Sequence, residues 1–102
     1  MVIMSDRSNS TLNLLIMMYK KQGKTVHELK IFPEYFLKVI NEKKKFETRF
    51  NDRDYKVGDI CILKEYFPES DIYSGRLVIA EITYIHDFHH EKGFVSFAVD
   101  LF

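Results

Sequence analysis

From Arg76 to Ile85 the chain is apolar on both faces of an extended segment. Leu77, Ile79 and Ile85 alternate with Val78, Ala80, Ile82 and Tyr84. A strand of this kind needs cover on each side, which a barrel interior and an overlying helix provide. The 102 residues suffice for one hydrophobic core and not for two, so a single small domain is expected. Residues around the segment repeat the β pattern. Phe46, Thr48 and Phe50 alternate with Lys45, Glu47 and Arg49, and the expectation is that the aromatic set faces the core and the charged set faces outward. Ile60 to Phe67 reads as a strand, Pro68 to Gly75 as a hairpin loop, and Val95, Phe97, Val99 and Leu101 as a last strand after a loop over 87–93.

Two helices precede these strands. Ser10 is a candidate N-cap for a helix over Thr11 to Gln22 that Gly23 terminates, with Leu12, Leu15, Ile16 and Tyr19 on one face. Leu14, Met17 and Met18 spread round the rest of it. After a short strand at Val26 to Ile31, Pro33 is placed to open a second helix to about Glu42, with Phe36, Val39 and Ile40 on its inner face. The fold class is α+β: about five to six mostly antiparallel strands in a small, closed or nearly closed barrel that leaves few edges exposed.

Composition bounds the setting. Hydrophobic residues make up 46% and charged residues 29% of the chain, as in an ordinary soluble globule, and fifteen aromatics supply bulky β-type core material. The single cysteine, Cys61, lies in an apolar run and is expected to be a buried thiol in a reducing compartment. The apolar stretch from Leu14 to Tyr19 is too short to span a bilayer, and a cytoplasmic protein is expected. Formal net charge is zero but unevenly spread. Lys43, Lys44, Lys45, Arg49, Arg53 and Lys56 face only Glu47, Asp52 and Asp54 in one stretch, while 57–91 is acidic.

The stretch from His27 to Phe36, then Glu42-Lys43-Lys44-Lys45-Phe46-Glu47-Thr48-Arg49, Asn51-Asp52-Arg53-Asp54 and Val57-Gly58-Asp59, resembles the ASCH domain family, in particular a small bacterial and phage branch. The likeness runs from about His27 to Leu101, which leaves residues 1–25 as an N-terminal extension with one helix and 26–102 as the ASCH-like domain. It implies a barrel related to the RNA-binding PUA fold and a Gly-x-Lys-x-x-Glu-x-Arg signature lining a ligand cleft. Lys44, Glu47 and Arg49 match that signature, and Glu42 replaces its glycine.

The trio makes chemical sense without the likeness. Glu47 and Arg49 stand two apart on a strand and point the same way, with Lys44 just ahead of it. A carboxylate accepts from an exocyclic amine, and a guanidinium grips a phosphate or base edge. RNA or a modified nucleotide is the expected ligand, with Arg53 and Lys56 meeting its backbone. A plain surface ion pair between Glu47 and Arg49 is the alternative.

Two further readings stand beside this one. One branch of the ASCH family is an amidohydrolase on an acetylated cytidine, with a threonine nucleophile at the position of Glu47 and a later glutamate assisting. By resemblance, Lys44 and Glu47 become candidate catalytic residues, with Glu91 as the nearest later glutamate. A phage-type inhibitor is the other: the N-terminal helix and an acidic patch of Glu65, Glu69 and Asp71 would dock on a host nucleic-acid-guided nuclease, as anti-CRISPR proteins do. No cofactor is expected. His86, His89 and His90 are weak candidates for zinc against the reading of an ordinary solvated loop. The exposed faces of the first helix leave monomer and dimer open.

Overall fold

The computed structural model describes residues 3–5, 9–87 and 92–102. Its elements are β1 (Ile3–Ser5), α1 (Asn9–Lys21), β2 (Val26–Ile31), α2 (Pro33–Ile40), β3 (Phe46–Phe50), β4 (Ile60–Phe67), β5 (Ile72–His86) and β6 (Phe94–Leu101). The sheet runs β2-β4-β5-β6-β3, and β1 pairs with the first half of β5. Among the described residues only β2 and β4 pair in parallel; every other pairing is antiparallel. The result is an α+β fold with a curled, half-barrel sheet.

The two-faced character of β5 has the physical cause its sequence implies. Inside the curl, Val78, Ala80 and Ile82 join Leu29, Cys61, Leu63, Phe97 and Val99 in the main core, which α2 closes with Phe36 and Val39. On the outer face, Leu77 and Ile79 pack with Ile60 and Ile62 beneath α1, through Leu12, Leu15, Ile16 and Tyr19. Leu14, Met17 and Met18 stay exposed. Burial pushes the Cys61 thiol up to about 12, aided by the nearby Glu47 and Asp59 charges.

Three local details depart from the sequence reading. The hairpin is tighter than expected: Phe67 pairs with Ile72, so β5 begins before Gly75. A bulge between Ile82 and Tyr84 then inverts the alternation. Ile85 therefore packs against the main core and Tyr84 turns to solvent. β3 is reversed as well, with Glu47 buried and Phe46 and Phe50 exposed. Alternation separates two faces but does not say which one is inside.

Both helices end in the same left-handed turn. In α1, the Gly23 N–H donates to the Lys20 carbonyl and the Lys24 N–H to that of Tyr19, with Gly23 at φ +80°. In α2, the corresponding bonds run from Glu42 to Val39 and from Lys43 to Lys38, but the left-handed position is held by Glu42 at φ +57°. A non-glycine residue there carries a steric cost. Glu42→Gly is therefore expected to stabilise the protein by about 1 kcal/mol. An upward shift of the urea midpoint with an unchanged m-value would show it.

Candidate functional site

The two edge strands of the half-barrel, β2 and β3, do not pair, and the seam between them is the site. Two arginine side chains bridge it. Arg49 donates through Nη2 to the Lys30 carbonyl at 2.7 Å, and Arg53 through Nη1 to the Glu28 carbonyl at 3.0 Å. Both acceptors lie on the unpaired edge of β2, whose backbone groups need partners that a closed barrel would supply from a neighbouring strand. The expected barrel is thus left open along one seam, and cationic side chains cross the gap.

Glu47 lies at the bottom of this seam, only 4% exposed. Its Oε1 accepts from Lys44 Nζ at 2.6 Å and its Oε2 from Arg49 Nε at 3.1 Å. Lys44 also donates to the Phe46 carbonyl. One buried carboxylate between two cations is tolerable where a lone one would not be, since each partner offsets part of the desolvation cost. Outward-facing charge on β3 was the sequence expectation; neutralisation by Lys44 and Arg49 is what allows the charged face to turn inward.

The cleft so formed has a volume of about 630 Å³, within the range of small-molecule sites. Phe32 and Tyr35 from the β2–α2 junction stand on one side, and Phe46, Phe50 and Phe94 on the other. All five rings are exposed to a large degree. Cations outnumber carboxylates in the lining: Lys30, Lys44, Arg49 and Arg53 against Glu47 and Asp52. Arg53 holds a neutral carbonyl and no carboxylate among the described residues. Deeper in, Tyr55 lies 4.8 Å from both the His27 and the Phe97 rings, centroid to centroid. Burial raises its hydroxyl pKa, and the Arg49 and Arg53 charges oppose that shift.

The loop that carries Arg53 is pinned from behind. His27 Nε2 and Asp59 Oδ2 are 2.8 Å apart and buried, and Asp59 Oδ2 also accepts the Lys56 N–H. Asn51 Oδ1 accepts the Tyr55 N–H, while the Gly58 N–H donates to Ile82. These bonds assign the Asn51-Asp52-Arg53-Asp54 and Val57-Gly58-Asp59 turns to shaping the lip of the cleft.

Of the sequence candidates, Lys44, Glu47, Arg49 and Arg53 meet in the cleft. Lys56 does not: it stands on the surface paired with Asp54 at 3.0 Å. Thr48 points away from Glu47, bonded to Ser96 across the sheet. His86 ends β5 on the exposed outer face, whereas His89, His90 and Glu91 lie outside the described residues. Among the described residues no group of three or more His, Cys, Asp or Glu side chains is placed to hold a metal. The acidic patch changes too, because Glu65 is buried and held by Arg76 through two bonds of 3.0 Å. Asp71 accepts from the Tyr66 hydroxyl, which leaves Glu69 as the patch's exposed, uncommitted member. The aromatic rim and Lys30 were not singled out from sequence; Phe32 and Tyr35 flanking Pro33 were the available hint.

An open-seamed α+β half-barrel with a cationic, aromatic-rimmed cleft between its edge strands is the class of domain that these observations define. The chain belongs to a family described as a domain of unknown function, DUF3850, whose profile matches residues 26–99. All of the cleft lies inside the match and α1 lies outside it. The chain is also 40% identical over 62 residues to a protein of Escherichia phage P2 described as an uncharacterised 12.9 kDa protein in the GpA 3' region. That alignment covers 61% of this chain and 55% of the phage protein, so the chain matches about half of its relative's length. Among the described residues no helix is long and apolar enough to cross a membrane.

Proposed function

We propose that the seam cleft binds RNA or a modified nucleotide. The observation that carries this reading is the buried Glu47, neutralised by Lys44 and Arg49 inside a cleft rimmed by exposed rings. Each Glu47 oxygen accepts one hydrogen bond from these partners and retains acceptor capacity for an exocyclic amine. Exposed rings offer faces on which a base stacks. Arg53, bound to a neutral carbonyl, keeps its charge available for a phosphate. The likeness of Lys44, Glu47 and Arg49 to the ASCH signature belongs with this proposal and rests on the sequence motifs.

Thr48 points away from Glu47 and bonds Ser96, so the neighbouring hydroxyl is not placed to act as a nucleophile beside the carboxylate, which favours binding over hydrolysis. Burial of Glu65 weighs in the same way against an acidic docking surface as the main function.

Fluorescence anisotropy with short single-stranded RNA and DNA tests the proposal. Arg53→Ala is a cleaner variant than Lys44→Ala or Arg49→Ala, since either of those strips a partner from a buried carboxylate and confounds binding with stability. Binding is expected to weaken between about 50 and 200 mM salt, and Arg53→Ala to flatten the log–log salt slope by roughly one phosphate contact. Salt-independent binding that Arg53→Ala leaves unchanged, or no binding at all, would contradict the reading.

A further inference from the structure

α1 covers only half of the sheet's outer face. The other half, formed by β3, β6 and the end of β5, carries aromatic rings without a helix over them among the described residues. Register fixes its layout. Phe46, Ala98 and Tyr84 form one cross-strand row, Thr48, Ser96 and His86 the next, and Phe50 with Phe94 a third. Phe46 is 52%, Phe50 55% and Tyr84 62% exposed. The rings span about 13 Å along β3 and about 10 Å across two strand spacings.

Exposed rings are ordinarily mobile, but three of these have partners on or beside the face. The Phe50 and Phe94 rings meet edge to face at 5.5 Å. Gly93 makes room for Phe50: a Cβ at position 93 would stand 2.5 Å from that ring. Lys44 Nζ lies 5.0 Å from the Phe46 ring centroid. This face therefore presents flat apolar surfaces along β3 and the start of β6, with a cation at one corner.

We infer that this uncovered face is a stacking platform for single-stranded nucleic acid that continues from the cleft over β3. The inference rests on the nucleotide reading of the cleft and extends it from one nucleotide to a strand of several. Continuity favours this occupant, because Phe46, Phe50 and Phe94 belong to the cleft rim and to the platform at once. Charge favours it at the cleft end: Lys44, Arg49 and Arg53 line the cleft from which a backbone would pass over β3 onto the rings. Rings on an open sheet take successive bases with little sequence preference, since every base has a π-face.

The test compares a dinucleotide with an eight-nucleotide single-stranded RNA on the intact chain, on Tyr84→Ala and on Ala98→Glu. Neither position lines the cleft, and neither side chain is buried. Wild-type protein is expected to bind the octamer more tightly than the dinucleotide. Tyr84→Ala should weaken octamer binding by about 5- to 100-fold and leave dinucleotide binding unchanged. Ala98→Glu should weaken it further by placing a negative charge mid-platform. An octamer that binds no better than the dinucleotide, or that neither variant affects, overturns the platform and leaves the cleft reading intact. Failure of both ligands on wild-type protein overturns the cleft reading and the platform with it. A dimer in sedimentation that Tyr84→Ala dissolves assigns the face to a second copy of the chain and overturns the platform.

Discussion

Phe36→Ala is expected to destabilise the protein by about 3–5 kcal/mol, a large part of the total stability of a domain this size. The ring is fully buried at the inner face of α2, where it closes one end of the main core. Arg76 lies over it, with the guanidinium carbon 5.2 Å from the ring centroid. Truncation opens a cavity that the short α2 can collapse into only by shifting. Because Phe32 and Tyr35 are carried at the start of the same helix, the cleft rim should loosen along with the core. Thermal unfolding should show a midpoint lowered by on the order of 15–25 °C. A shift of a few degrees would mean that α2 contributes little to the core.

Arg76→Ala is expected to cost about 2–3 kcal/mol at neutral pH, less than for a fully enclosed pair because Arg76 is about half exposed. Its partner is enclosed. Burial by itself pushes the Glu65 carboxyl up, but hydrogen bonds from Arg76 and Ser74 and the Arg76 charge outweigh it and hold the group below its ordinary value of 4.5. A carboxyl whose folded pKa lies below the unfolded one stabilises the protein above the unfolded pKa, and this contribution fades as pH falls through the folded value. In Arg76→Ala the lowering from Arg76 is gone and the desolvation remains. The Glu65 pKa then rises above its unfolded value, and protonation favours the folded state. Wild-type stability should therefore fall on acidification below about pH 4.5, whereas the Glu65 contribution in Arg76→Ala should grow earlier in the descent, as pH falls through the raised folded value toward the unfolded one, and level off below it. Urea midpoints measured from pH 7 to pH 4 should show the deficit of Arg76→Ala shrinking. A deficit independent of pH would mean that the arginine acts through packing on Phe36 and not through the carboxylate.

Much of the architecture was legible because local chemistry and tertiary need agree. Gly23 stops α1 by taking a left-handed turn, Pro33 opens α2, and the apolar run through β5 has cover on both sides. Lys44, Glu47 and Arg49 meet because strand geometry aligns Glu47 with Arg49 and the preceding turn brings Lys44 within reach. What failed to be legible depends on the far side of the sheet. Which face of β3 turns inward is decided by the open seam beside β2, where a neutralised carboxylate can be buried and, among the described residues, no helix covers the aromatic side. The bulge at Thr83 inserts one residue without any glycine or proline to announce it. Glu65 looks like surface charge until Arg76 is brought over it by the hairpin, and Lys56 looks like a phosphate contact until the turn points it at Asp54.

The central claim is that a nucleotide unit occupies the seam between β2 and β3. Amide chemical-shift mapping with a short single-stranded RNA tests it most directly. Shifts centred on Leu29 to Phe32 and on Lys44 to Arg53, with α1 unaffected, are the predicted result. Shifts confined to α1, or none at RNA concentrations up to the millimolar range, would contradict it.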